Sequence, residues 1–213
     1  MSNYLNMSVE QLKQELAVQM DHLKDCRDQN LKLNMARGKP AKQQLDAVSD
    51  ILSVITTADE CFDGNLDTRN YGDLAGIPSA RAYWAEVLGC KPEQTFIGGS
   101  ASLNLMFDVI AKAYSHGLLH SPKPWCKEDV VKFLCPSPGY DRHFRITETF
   151  GAELIVIPMN DDGPDMDTVE KLVASDESIK GMWNVPKYSN PGGAVYSAET
   201  VRRIASMSCA AKD

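Results

Sequence analysis

The sequence predicts an α/β protein built on an incomplete doubly wound, mostly parallel sheet, and three observations carry that prediction. The runs Val130-Val131-Lys132-Phe133-Leu134 and Glu153-Leu154-Ile155-Val156-Ile157 are short, β-branched and largely apolar, the pattern of strands buried on both faces. Helical periodicities alternate with these runs. Finally, Thr95-Phe96-Ile97 reads as a strand that meets Gly98-Gly99-Ser100-Ala101-Ser102 and then a helical pattern at Leu103, Leu105, Met106, Val109 and Ile110. Adjacent glycines at a strand end let the backbone pass close to a ligand, and the next helix points its free N–H groups at that ligand. A phosphate suits such a corner.

The elements follow in order. Ser8 caps a first helix, with Gln11 at the third position of a capping box, and Leu12, Leu16, Met20 and Leu23 form an apolar stripe expected to pack on a neighbour. The stretch 33–40 is punctuated by Gly38 and Pro40, so it reads as an extended piece with Gly38 on a loop, followed by a helix over 43–56. Another helix spans 77–88, where Pro78 is tolerated in the first turn. Beyond the glycine corner and its helix, 112–127 contains Gly117, Pro122 and Pro124 and reads as a long surface loop. After the two apolar strands come a helix over 167–174, a strand over 179–184 and a helix over 198–209.

Composition narrows the function. With 213 residues and 43% apolar content the chain can bury a sizeable core. No apolar run approaches the roughly 20 residues of a membrane span, and residues 1–7 lack the layout of a secretory leader, so a soluble cytoplasmic protein is expected. Six widely spaced cysteines without a Cys-x-x-Cys pair argue for reduced thiols, against both a zinc site and a disulfide framework. A net charge of −7 without a dense basic stripe disfavours nucleic acid and favours a small-molecule partner.

Open α/β sheets bind ligands beyond the carboxyl ends of their strands. Three suggestive segments lie at such ends: 98–102, Pro136-Ser137-Pro138-Gly139-Tyr140, and 186–193 with its Asn190-Pro191-Gly192-Gly193. Together with Tyr71-Gly72-Asp73-Leu74-Ala75-Gly76-Ile77-Pro78-Ser79-Ala80-Arg81 and Ala194-Val195-Tyr196, these segments resemble the class I, aspartate aminotransferase-like enzymes, the fold type I family that uses pyridoxal 5'-phosphate. The likeness runs from about Gly38 to the last residue. The forms around Arg37-Gly38-Lys39-Pro40 and Gly139-Tyr140-Asp141-Arg142-His143 look like a bacterial subgroup remote from the better-known branches.

The resemblance implies roles residue by residue. Gly99, Ser100 and Ala101 match positions whose backbone N–H groups hold the cofactor phosphate, with the hydroxyls of Ser100 and Ser102 adding hydrogen bonds. Tyr140 matches the aromatic ring stacked on the pyridine, and Asn190 the amide that donates to its phenolic oxygen. Tyr71 matches the tyrosine that reaches the phosphate of a neighbouring subunit, implying a homodimer with shared sites, and Gly38 a glycine beside the substrate carboxylate. Where the family has Asn-Asn-Pro-Thr-Gly, this chain has Tyr188-Ser189-Asn190-Pro191-Gly192-Gly193, preceded by one extra residue.

The same resemblance implies a domain plan: residues 1–50 as helices and arm of a small domain, and 51–213 as the first part of the cofactor-binding large domain. It places the Schiff-base lysine, the aspartate partnering the pyridine nitrogen and the carboxylate-clamping arginine beyond Asp213, so that this stretch holds no catalytic residue and is expected to be inactive alone. The activity implied is transfer of an amino group from an aspartate- or glutamate-type donor to a 2-oxo acid. A lyase or decarboxylase on the same scaffold, or a non-catalytic aminotransferase-like sensor domain, are the alternatives. A dinucleotide site would need Gly-x-Gly-x-x-Gly, which the run from Gly98 does not supply. Arg81 is read as a capping, ion-pairing helix residue, and His143 as satisfying a local hydrogen bond.

Overall fold

The structure, a computed structural model, describes residues 4–32 and 38–212. The expected extended piece over 33–37 lies outside the described residues, as does Asp213. The chain divides into two compact units, Met1–Arg69 and Asn70–Asp213.

In the first unit, helix α1 (Val9–Asp28) starts as its sequence dictates. Gln11 N–H donates to Ser8 Oγ at 3.2 Å and Ser8 N–H to Gln11 Oε1 at 2.8 Å, closing the capping box. Its stripe does not pack as expected: Leu12, Leu16, Met20 and Leu23 are all exposed. The helix expected over 43–56 is broken into α2 (Lys42–Asp46) and a 3₁₀ turn at Ser49–Ser53, where Ser49 and Ser53 hydroxyls bond back to the carbonyls of Asp46 and Asp50. Such local side-chain bonds compete with α-helical pairing. A hairpin of β1 (Phe62–Asp63) and β2 (Leu66–Asp67) around Gly64-Asn65 completes the unit.

The second unit carries the sheet. Helix α3 (Pro78–Leu88) precedes α4 (Ser102–His116), and then come β3 (Lys132–Ser137), α5 (Asp141–Thr149), β4 (Glu153–Asn160), β5 (Gly163–Pro164), α6 (Met166–Ser175), β6 (Ile179–Met182) and α7 (Ala198–Ser206). The strand order is β5-β4-β3-β6, with β3 parallel to both β4 and β6 and only the two-residue β5 antiparallel. The alternation of β-branched and aromatic residues splits the core into two layers. Leu134, Ile157 and Ile179 face Met166, Val169 and Val173 of α6. Phe133 faces Ile110 and Ala113 of α4 with Trp125. Successive residues of β3 thus feed opposite layers, as a strand buried on both faces requires.

Three expectations need correction. Thr95-Phe96-Ile97 is not a strand: it joins no ladder among the described residues, and Ile97 N–H donates instead to Ala75 O at 2.9 Å. A strand needs a neighbouring strand, and the described sheet supplies none there. The 112–127 loop is shorter than expected, because α4 runs to His116 and Trp125 at Trp125–Lys127 is buried against the α4 layer. Arg81 makes no capping ion pair; its guanidinium donates to the carbonyls of Thr95 (3.0 Å) and Pro92 (2.6 Å), bracing the turn that leads to the glycine corner.

At the amino ends of the strands, Lys132 Nζ donates to Asp176 Oδ2 at 2.8 Å, and Ser178 N–H to Asp176 Oδ1 at 2.9 Å. Lys132 first, then Ser178, hold the Asp176 carboxyl down at about 2. Because the folded value lies below the unfolded one, this stabilisation is present above about pH 4 and is lost as pH falls through about 2. Asp176→Asn should therefore cost roughly 1–2 kcal/mol at pH 5, discounted for a carboxylate about one-third exposed, with the difference from the unsubstituted chain vanishing near pH 2. Urea midpoints across that range measure it.

Candidate functional site

Because β3, β4 and β6 run parallel, their carboxyl ends share one edge of the sheet, and Tyr140 and Asn190 lie on the segments that follow β3 and β6 there, whereas 98–102, Tyr71 and Gly38 follow no strand of this sheet. β3 continues past Leu134, where pairing with β6 stops at Met182, so Pro136 and Ser137 pair only with β4. The chain then turns through Pro138 and Gly139 into Tyr140, which is the N-cap residue of α5. Both Ser137-Pro138 and Asn190-Pro191 are cis. At Gly139 a β-carbon would collide with the carbonyl oxygen of Pro136 and with the Phe144 ring, so only glycine lets the chain turn this tightly under Tyr140.

Beyond β6 the chain folds back on itself. Ser189 N–H donates to Ala194 O (2.8 Å), Tyr196 N–H to Pro186 O (2.9 Å), and the Tyr196 hydroxyl to Asn184 Oδ1 (3.3 Å), closing the loop at its base. Asn190 and Gly192 are thereby held at the tip, and Asn190 is exposed. Burial pushes the Tyr196 hydroxyl pKa up.

Tyr140 and this loop meet around a hollow of only about 10 Å³, whose wall includes Pro136, Tyr140, His143, Trp183, Ser189 and Tyr196. A larger hollow of about 240 Å³ opens between Pro138, the end of β4 at Asn160 and Asp161, and Ser189, Gly192 and Gly193. Neither is lined by Asn190 itself or by 98–102. Under Tyr140 lies a run of rings: Tyr140 to His143 at 5.1 Å and 90°, His143 to Trp183 at 5.8 Å, and Trp183 to Phe133 at 5.1 Å. His143 is therefore read differently from the local hydrogen bond expected of it: ring contacts surround it, and desolvation lowers its pKa.

The glycine corner stands at the head of α4. Gly99 adopts φ +61, a conformation that favours glycine, and nothing lies within 4 Å of where its β-carbon would be. Ala101 is the N-cap residue and supplies no side-chain hydrogen bond, and no acidic residue occupies the first turn. Asn104 N–H donates back to Ala101 O at 3.1 Å, which leaves the N–H groups of Ser102 and Leu103 at this helix start facing no capping side chain among the described residues, with Ser100 and Ser102 exposed beside them. α4 packs on α5, and the start of α4 shares with the length of α5 a cleft whose wall runs from Leu103, Asn104 and Phe107 to Arg142, Arg145 and Thr149. Tyr71 is 97% exposed, in a segment whose Ala75 accepts from Ile97 just ahead of the corner. Gly38 is exposed and belongs to the first unit.

Sequence reasoning missed Trp183, Ser189, Thr147 and Tyr196. Ser189 could have been flagged as the neighbour of Asn190. Trp183 and Thr147 meet only through the sheet register and carry no local signal. All six cysteines are free, and burial pushes the Cys135 thiol up to about 12. Among the described residues, no group of three or more His, Cys, Asp or Glu is placed to hold a metal, and no helix is long and apolar enough to cross a membrane.

Comparison with known proteins gives the family and the fold. Residues 7–213 match the family model described as aspartate amino-transferase. An aspartate aminotransferase of Corynebacterium glutamicum is 48% identical over 189 residues, covering 89% of this chain and 44% of that protein. The crystal structure of an aspartate transaminase from Corynebacterium glutamicum superposes with a TM-score of 0.87 at 44% identity, over 98% of this chain and 49% of the other. An α-aminoadipate aminotransferase of Thermus thermophilus, complexed with N-(5'-phosphopyridoxyl)-L-leucine, shares the fold at a TM-score of 0.56 and 20% identity, over 79% of this chain and 39% of its own. The chain spans about half the length of the curated relatives it matches. With a parallel sheet, a glycine corner opening a helix and a family match over nearly every residue, this chain belongs to the aspartate aminotransferase family.

Proposed function

We propose that the protein transfers an amino group from an aspartate- or glutamate-type donor to a 2-oxo acid with pyridoxal 5'-phosphate as cofactor. The observation that carries this reading is the head of α4: an open turn at Gly99, no capping side chain, no competing carboxylate, and two exposed hydroxyls. That donor set fits a phosphate monoester dianion, which needs several N–H and O–H donors and a positive dipole end. When bound, the cofactor supplies an electron sink for the bonds at the substrate's α-carbon.

The chain's own part is to bind and orient. Gly99, Ser100, Ala101 and Ser102 would hold the phosphate, Tyr140 would cover one face of the ring, and Asn190 would donate its amide to the ring's phenolic oxygen. Tyr71 would reach the phosphate of a neighbouring copy in a cytoplasmic homodimer, and Gly38 would lie beside the substrate carboxylate. In the same reading residues 1–50 contribute to a small domain and 51–213 to the cofactor-binding one, with the lysine that links to the cofactor supplied beyond Asp213.

Titration with pyridoxal 5'-phosphate and with pyridoxal tests it. The phosphorylated compound should bind more tightly, and Ser100→Asp, which sets a negative charge against the phosphate, should erase that preference. Tyr140→Ala should weaken both by about fivefold or more, since ring stacking is worth on the order of 1 kcal/mol. Equal affinities for the two compounds in the unsubstituted chain would overturn the phosphate assignment.

A further inference from the structure

The ring beneath Tyr140 is supported by a half-buried side chain that also lines the hollow under Tyr140. Trp183, the first residue after β6, is held on three sides. Its indole N–H donates to Thr147 Oγ1 at 3.3 Å, its ring lies tilted on Phe133 at 5.1 Å, and it meets His143 at 5.8 Å. Thr147 is itself fixed: it is 1% exposed and its hydroxyl donates to Phe144 O at 3.0 Å. A half-buried indole N–H bonded to Thr147 and lying on a flat apolar bed favours one orientation, because turning the ring would break that bond. His143 then has Trp183 on one side and Tyr140, at right angles, on the other. The hollow these rings share is too small for the imidazole to swing without displacing a neighbour.

We infer that Trp183 is a positioning residue for the site: anchored by Thr147 and Phe133, it sets the plane of His143, and His143 in turn sets the plane of the Tyr140 ring. The consequence for cofactor binding rests on the function proposed above, whereas the orientation of the three rings does not. The titratable groups around the imidazole are Tyr140 and Tyr196 across the hollow and Asp141 and Arg142 on its own helix. No carboxylate from β6 or the 183–196 loop lines the hollow, so the surroundings of His143 there are set by the packed rings.

The experiment follows three variants in the full chain. Trp183→Leu removes the ring, Trp183→Phe keeps a ring but removes the N–H, and Thr147→Val removes the acceptor. Trp183→Leu should let more water reach the half-buried His143 and raise its NMR titration midpoint toward the ordinary value of about 6.5, with loss of the His143–Tyr140 ring cross-peaks. Trp183→Phe and Thr147→Val should each weaken those cross-peaks, and their combination should do no more than either alone. For pyridoxal 5'-phosphate, Trp183→Phe should raise Kd by about threefold in the unsubstituted background, less than removal of the Tyr140 ring itself, and leave it unchanged in the Tyr140→Ala background, since the effect passes through that ring.

An unchanged His143 midpoint in Trp183→Leu, or full retention of the cross-peaks in both conservative variants, overturns the inference. So does an equal loss of affinity with and without Tyr140. If Tyr140→Ala alone leaves cofactor affinity intact, the failure belongs to the proposed function, and the NMR measurements still decide the role of Trp183. Should Trp183→Leu not fold, the two conservative variants carry the same decision.

Discussion

Leu134→Ala is expected to destabilise the chain by about 3–5 kcal/mol, the range for truncating a fully enclosed leucine whose surroundings relax only partly. Leu134 has no exposed surface and sits in the layer formed by Ile157, Met166, Val169, Val173 and Ile179. Its neighbours come from β4, α6 and β6, so no single element can move in to fill the space. At about 2–4 °C per kcal/mol for a chain of this size, the thermal midpoint should drop by roughly 10 °C. Val156→Ala, on the same sheet but 68% exposed, should change it by less than about 1 kcal/mol. Comparable losses at the two positions would mean that the layer around Leu134 is not the unit's core.

Gly139→Ala should have the second large effect, and it should act on the site as well as on stability. The added β-carbon would meet the backbone carbonyl of Pro136 and the Phe144 ring, and a backbone atom cannot rotate aside as a side chain can. The turn from β3 into α5 must then open, at a cost of about 3 kcal/mol or more, comparable to other forced overpacking. Because Tyr140 is the next residue, the opening displaces its ring from His143, and affinity for pyridoxal 5'-phosphate should fall together with the denaturant midpoint. Gly151→Ala is the control: its φ of +82 is strained for alanine, yet nothing lies within 4 Å of the added atom, so it should cost about 1 kcal/mol and leave binding untouched. A Gly139→Ala protein with unsubstituted stability would contradict the collision.

These positions also mark what the sequence could reveal. Leu134 was legible because it closes a short, β-branched and largely apolar run, the signal that also found β4, while the alternation of strands with helical segments placed α6, β6 and α7. Helix α5 was not, because its inward face mixes Phe144 and Ile146 with the polar His143 and Thr147, which are held by ring contacts and hydrogen bonds. Polar residues on the inward face weaken the hydrophobic period of so short a helix. Thr95-Phe96-Ile97 failed in the opposite sense: β-branched and aromatic residues gave a strand pattern, but pairing is a property of neighbours and none stands beside it. In the site, the glycine corner, Tyr140 and Asn190 could be named from motifs whose chemistry is local. Trp183, Thr147 and Tyr196 could not, since only the register of β3 with β6 and the return of the 183–196 loop bring them together.

The strand order has one more consequence. On one flank the ladder stops at β5, two residues long and ending in Pro164, which has no N–H to offer. On the other flank β6 is the outer strand among the described residues, with no proline and with a glycine at 181. Among the described residues, an incoming extended segment would therefore meet a better template alongside Ile179–Met182 than alongside the short, proline-ended β5.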